Sequence, residues 1–250
     1  MKQLSRVIFD FDNTLIRTEV IKDILRTAAT GIYGFTATEA DQIYREALTQ
    51  DGKAAFTVDR FQELLKKHLP PGRKGSDVDM DRVKEDLQQL GAQLLVPGAG
   101  EFLQEVKEKE LDHYLLSLGE PGWQQQKMSW AGLKKVFVED HVFYTTDMKI
   151  GKTEALRQMF GKDFRGENTV LFNDKPDETA GILTSFPDIV TFLRQDDKDR
   201  RYRQEDFEQL ADQFPDRVVF SSDFSELSSE FRAAYWDEPR ETRSEFNRLK

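Results

Sequence analysis

The stretch Val7-Ile8-Phe9-Asp10-Phe11-Asp12-Asn13-Thr14-Leu15 runs from unbroken apolar residues straight into two carboxylates, an amide and a hydroxyl. An apolar run without alternation suits a strand covered on both faces, as in a parallel sheet. Ligands of such sheets bind outside the carboxyl ends of the strands, so the residues that close this strand are the first candidates for chemistry.

Working outward, further strands are expected over residues 114–118, 142–145, 170–172 and 189–193, with 218–220 as a weaker sixth after the first at 7–11. Helical periodicity fills the intervals, for example over 100–110 and 153–160, and the alternation predicts an α/β, doubly wound, Rossmann-like parallel sheet. One stretch departs from it. Between about residues 18 and 95 no convincing strand is found, while helix starts recur: Thr36 with Glu39 as a capping box, Thr57 before Phe61, Leu64 and Leu65, and Asp79 before Val83, Leu87 and Leu90. Four or so helices are expected to form a separate bundle, with loops at Pro70-Pro71-Gly72 and Gly75-Ser76, and Pro97-Gly98 marking the return to the sheet. The expected division is therefore an α/β core from 1–16 and 96–236, a helical insert from 17–95, and a charged tail from 237–250 that frays. The mixed charges over 194–217 read as a solvated face.

The 250 residues carry 46 acidic against 36 basic side chains, a formal charge of -10 and a pI near 5.0. That balance, without a basic stripe, argues against nucleic acid as a partner. Nineteen Phe, six Tyr and three Trp exclude a disordered chain, and the length allows one large domain or a core with a smaller module. No window holds the 18 or more apolar residues of a membrane span. The absence of Cys removes disulfides, thiolate zinc sites and cysteine nucleophiles, and the N-terminus shows no signal sequence, so a cytoplasmic protein is expected.

Two carboxylates at i and i+2 on a strand end point the same way, and burying both unpaired costs several kcal/mol. No partner stands beside them in the sequence, and a divalent cation would relieve the conflict. Hard oxygen ligands suit Mg²⁺, which takes one or two protein carboxylates and leaves positions for phosphate and water. Two other strand ends are polar as well. Ser117 closes the second strand, and Asn173-Asp174-Lys175-Pro176-Asp177-Glu178 closes the fourth.

These three segments, with the lysines Lys149 and Lys152 between the second and the third, stand over about residues 7–182 in an order that resembles the four motifs of the haloacid dehalogenase-like superfamily. The resemblance implies that Asp10 is a nucleophile that becomes an aspartyl-phosphate and that Asp12 protonates the leaving oxygen and then activates water, while its backbone carbonyl joins the metal shell. Dehalogenase members lack the second Asp, which disfavours halide chemistry. Ser117 corresponds to the hydroxyl that binds the transferring phosphoryl group. The third-motif lysine is Lys149 or Lys152, with Lys152 favoured because it stands immediately before the helix expected from Thr153. In the fourth motif Asp174 would bind Mg²⁺. The second acid is Asp177 or Glu178, and the following Ala180-Gly181 points to Asp177. The implied metal set is thus Asp10, Asp12, Asp174 and Asp177. Asn173 replaces the family's usual small or acidic residue, which implies altered geometry there.

The resemblance also implies a helical cap over the site. Tyr33, Phe35 and Arg45 are candidates to enter its pocket, although aromatic and basic residues of a helical bundle more often serve core or surface. His68, His113 and His141 lack ligand spacing and read as structural, and Trp123 reads as packing. The expected activity is Mg²⁺-dependent hydrolysis of a small phosphorylated metabolite, with no membrane or nucleic-acid partner. The sequence leaves the oligomeric state open. A phosphomutase or a phospholigand-binding relative without turnover are the alternatives. A signalling receiver module is disfavoured, because its acceptor Asp follows the third strand and not the first.

Overall fold

The computed structural model describes residues 4–69, 77–147 and 151–236. In chain order the first half comprises β1 (Arg6–Phe9), α1 (Thr18–Gly31), α2 (Ala37–Leu48), β2 (Thr49–Gln50), β3 (Lys53–Ala54), α3 (Val58–Lys67), α4 (Asp77–Leu90) and α5 (Ala99–Glu108). The second half comprises β4 (Asp112–Leu118), α6 (Pro121–Trp130), β5 (Val142–Thr145), α7 (Gly151–Phe160), β6 (Thr169–Asn173), α8 (Pro176–Ser185), β7 (Val190–Arg194), α9 (Gln204–Gln213), β8 (Val218–Ser221) and α10 (Phe224–Tyr235).

Six strands form one sheet in the order β5-β4-β1-β6-β7-β8, with every pairing parallel. The chain builds outward from β1 through β4 to β5, then crosses back and builds the other way through β6, β7 and β8. The order therefore reverses between β1 and β6, where Phe9 lies opposite Phe172, and at such a point a crevice opens at the carboxyl ends of the strands.

Alternate residues of the strands serve opposite faces. Val7 and Phe9 join Val170, Phe172 and Phe192 against Phe102 of α5 and Phe224 and Phe231 of α10, while Ile8 joins Leu116, Leu171 and Leu193 against α7, α8 and α9. The rings of Phe9 and Phe172 stack at 5.1 Å, and those of Phe172 and Phe192 at 5.2 Å. Each buried ring stabilises by about 1.5–3 kcal/mol, which anchors the strand ends that carry the polar residues.

The segment between β1 and α5 holds the four helices α1 to α4. Thr36 and Glu39 form the expected capping box of α2, and the Thr57 hydroxyl accepts the Arg60 N–H at 3.0 Å at the start of α3. α4 starts at Asp77, ahead of the expected Asp79. The expectation of no strand here is corrected by a small hairpin, β2 with β3, turned by Asp51 and Gly52 at φ 51° and 77°. Both central residues have positive φ, which is the signature of a two-residue hairpin turn. The hairpin also touches the sheet domain, since the Ala54 N–H donates to the Thr146 carbonyl at 2.8 Å.

Most charged residues of 194–217 are exposed, as the reading of a solvated face requires, but the stretch also contributes to the core. α9 buries Phe207 and Leu210, and the Asp196 and Asp199 side chains are each only 10% exposed. The loops expected at Pro70-Pro71-Gly72 and Gly75-Ser76, Lys149 and the tail from 237 lie outside the described residues. Among the described residues no helix is long and apolar enough to cross a membrane.

Candidate active site

Asp10 leaves the end of β1 at the reversal point, its N–H donating to the Phe172 carbonyl at 2.9 Å. Its carboxylate is buried and both oxygens are met: Oδ1 by the Lys152 ammonium at 2.6 Å, Oδ2 by the Thr14 hydroxyl at 3.1 Å. Lys152 belongs to the first turn of α7 and is 1% exposed. Burial alone would lower its pKa, but Asp10, Glu178 and Asp174 together outweigh that and raise it, so it stays an ammonium.

Asp12 lies past the strand end, before a turn in which Asn13 takes a left-handed conformation at φ 59°. It therefore does not share the partners of Asp10. Its Oδ1 pairs with the ammonium of Lys127 and accepts the Thr18 hydroxyl at 2.7 Å, and its Oδ2 accepts Gln124 Nε2 at 2.9 Å. Burial pushes the Asp12 carboxyl up, but Lys127, Gln124 and Thr18 prevail and hold it below the usual carboxylate range. Each aspartate thus has a lysine of its own: Lys152, the favoured third-motif lysine, for Asp10, and Lys127, which the sequence did not point to, for Asp12.

Lys127 and Gln124 were not legible in the sequence. Both sit on α6, where Glu120 caps the N-terminus by accepting the Trp123 N–H at 2.6 Å and Pro121 takes the first turn. A helix over this stretch would have set them three apart on one face.

The loop after β6 divides its acids. Asp174 is 4% exposed, and its Oδ1 has no hydrogen-bond partner. Burial and the nearby Asp10 charge raise its pKa well above the usual value, against the pull of Lys175, Lys152 and Arg201. Arg201 Nη2 stands 3.8 Å from Asp174 Oδ2, while its hydrogen bonds go to Asp199. Asp177 accepts the Tyr202 hydroxyl at 2.6 Å and the Glu178 N–H at 2.8 Å. Glu178, not Asp177, reaches Lys152, at 2.7 Å. Burial would raise the Glu178 pKa, and Lys152 and Lys175 bring it below the ordinary value. Asn173 links the group, accepting from Lys152 at 2.9 Å and donating to Glu178 at 3.2 Å and to Thr179 at 2.9 Å. The departure from the family's usual residue is thus a bridging amide.

Ser117, the penultimate residue of β4, is buried, and its hydroxyl has no partner. Tyr33 and Phe35 lie in the core and Arg45 is exposed. The aromatic residue of the insert that approaches the site is Tyr44, whose pKa is raised by burial and by the Asp12 and Glu19 charges. Trp123 packs at 5.2 Å from Phe56 and 5.5 Å from Trp130. The three histidines find partners elsewhere: His68 with Glu46, His113 with the Leu111 and Val136 carbonyls, His141 with the His113 carbonyl.

Among the described residues, no three of His, Cys, Asp and Glu gather as a set that could hold a metal by themselves. The Asp12 carboxylate is taken by Lys127, Gln124 and Thr18, which leaves its backbone carbonyl as the donor that the resemblance implies, and Asp177 Oδ1 accepts from Tyr202 and Glu178. What remains is Asp10 with Asp174, whose unpartnered oxygen is a hard donor. That fits Mg²⁺, which needs only one or two carboxylates and keeps several waters.

Solved structures share this fold over nearly the whole chain. A haloacid dehalogenase-like hydrolase assignment from Burkholderia xenovorans matches at TM-score 0.63 and 21% identity, covering 90% of this chain and 96% of its own. A protein assigned as a β-phosphoglucomutase from Thermotoga maritima matches at 0.56 and 19%, covering 92% and 99%. The L-2-haloacid dehalogenase of Xanthobacter autotrophicus matches at 0.56 and 17%, covering 92% and 98%. No curated protein matches. Residues 5–183, which contain Asp10, Asp12, Ser117, Lys152 and Asp174, match the family as a whole, and the chain belongs to the haloacid dehalogenase-like hydrolases.

Proposed function

We propose that the protein is a phosphatase that hydrolyses a small phosphate monoester through a phosphorylated Asp10. The observation that carries this reading is the second aspartate, Asp12, held beside the first at the same crevice with a lysine of its own. A nucleophilic carboxylate alone serves ester or halide chemistry, whereas a phosphoryl transfer to and from it needs a second group to move protons.

Asp10 and Asp174, with the Asp12 backbone carbonyl, would hold Mg²⁺, which family members generally use. Bound there, Mg²⁺ supplies positive charge to the phosphoryl oxygens. Lys152 neutralises Asp10 and lets a phosphate dianion approach, and the Ser117 hydroxyl donates to a phosphoryl oxygen. An Asp10 oxygen attacks phosphorus as the bond to the leaving oxygen breaks, and Asp12, ionised in the free protein, takes up a proton from solvent as the phosphate dianion comes in beside it and gives that proton to the leaving oxygen. Asp12 then takes a proton from water, whose oxygen attacks phosphorus and frees Asp10. The products are the alcohol and inorganic phosphate.

Purified protein with Mg²⁺ and a panel of phosphate esters tests the reading. Phosphate release that disappears in Asp10→Asn is expected. No release from any ester, with Asp10→Asn indistinguishable from wild type, overturns it, and an isomerised ester in place of free phosphate moves it to a phosphomutase.

A further inference from the structure

A second lysine in this crevice has no part in the reaction just described. Lys127 is 1% exposed, and its ammonium makes its one ion pair among the described residues with Asp12. Two aromatic rings pack on its ammonium, Phe11 at 5.2 Å and Trp123 at 5.5 Å to the ring centroids. Trp123 is in turn packed against Phe56 of the insert. Gln124, one turn earlier on α6, donates to the other Asp12 oxygen, and the same Nε2 lies 3.3 Å from the Leu118 carbonyl. This approach is open because residue 119 is glycine, where a Cβ would stand 2.0 Å from Gln124 Nε2.

Asp10 has its main chain tied to β6 and its carboxylate held by Lys152 and Thr14. Asp12 is two residues further, on the turn, and its carboxylate takes its direction from side chains. A misplacement of about 1 Å in a reacting group costs on the order of 100-fold in rate. We propose that Lys127 is a positioning residue, which fixes the Asp12 carboxylate for proton transfer to the leaving oxygen and acts through Asp12 alone. The proposal rests on the phosphatase reading and adds to it a residue from a helix outside the four motifs.

Wild type, Lys127→Met, Asp12→Asn and the double variant should be compared on an alkyl phosphate and on 4-nitrophenyl phosphate. Lys127→Met is expected to lower kcat on the alkyl ester roughly 100-fold with KM nearly unchanged. The loss should be about tenfold smaller on the nitrophenyl ester, whose leaving phenolate needs little protonation. In the Asp12→Asn background the same change should add nothing, since two residues that act as one unit are not additive. Equal losses on the two esters, or losses that multiply in the double variant, overturn the proposal. Gln124→Met, which removes a donor without exposing a buried charge, should show the same pattern at smaller size and serves if Lys127→Met does not fold. A crystal structure of either variant decides the matter without turnover: the Asp12 carboxylate should have turned while the Asp10–Lys152 pair is unchanged, and an unmoved Asp12 overturns the proposal. Absence of turnover by wild type would overturn the phosphatase reading alone.

Discussion

With Asp10 paired to Lys152 and Asp12 to Lys127, the buried carboxylate oxygen that no donor meets at the reversal point is Oδ1 of Asp174. Its raised pKa means that, between the ordinary carboxylate range and that raised value, the folded chain binds more protons than the unfolded one. Stability without metal should therefore fall as pH rises through this window. Asp174→Asn is expected to raise the melting temperature in chelator at pH 7, by on the order of 1–3 kcal/mol in stability, and to remove that slope. Added Mg²⁺ should raise the wild-type melting temperature and leave Asp174→Asn unmoved, both read by thermal denaturation. Asp12 has the opposite sign: its contribution is present above the ordinary carboxylate pKa and lost as pH falls through its lowered value. For Lys152, whose pKa is raised, the contribution is present at neutral pH and lost only as pH rises through the folded value. Lys152→Met leaves Asp10 and Glu178 without their shared cation and should cost about 3–5 kcal/mol in a urea titration at pH 7, along with activity.

At the scale of elements, the junction of β4 with α6 is where a small change has the largest expected effect on the site. Gly119→Ala forces Gln124 off Asp12 while leaving strand and helix backbone intact. Activity should drop on the order of tenfold with far-ultraviolet circular dichroism unchanged. The same junction shows where sequence reasoning stopped. β1, β4, β5 and β6 were legible because each carries a run of consecutive apolar residues, and Asp10, Ser117 and Asp174 followed as the polar residues at or next to their ends. α6 was not, because Gln124 and Lys127 are among its buried residues and blur the apolar stripe by which a helix is recognised. β2 and β3 are two residues each, too short for any periodicity, although Asp51-Gly52 between them is a hairpin dipeptide. Composition along 194–217 could not show that Asp196 and Asp199 turn inward. That Glu178 and not Asp177 reaches Lys152 depends on the first turn of α8, which spacing alone does not orient.

For the whole molecule, the decisive fact is that the apolar residues of the insert and of one sheet face form a single contiguous cluster. It includes Val7 and Phe9 of the sheet, Ile16, Leu94 and Trp123, and Phe61 and Leu65 of the insert. Unfolding should accordingly be one transition, with near- and far-ultraviolet circular dichroism coincident. Leu65→Ala, at a fully buried position of α3, should lower that one transition by roughly 2–5 kcal/mol in stability, and a second, earlier transition would contradict the shared core. The outer strands of the sheet, β5 and β8, are only four residues long, and just beyond β5 the insert's hairpin lays Lys53 against Asp147 and Ala54 against Thr146. Unpaired strand margins are the template on which chains add to one another and aggregate. By covering the end of one such margin with its own backbone, the insert shortens what a neighbouring molecule can recruit on that side of the sheet.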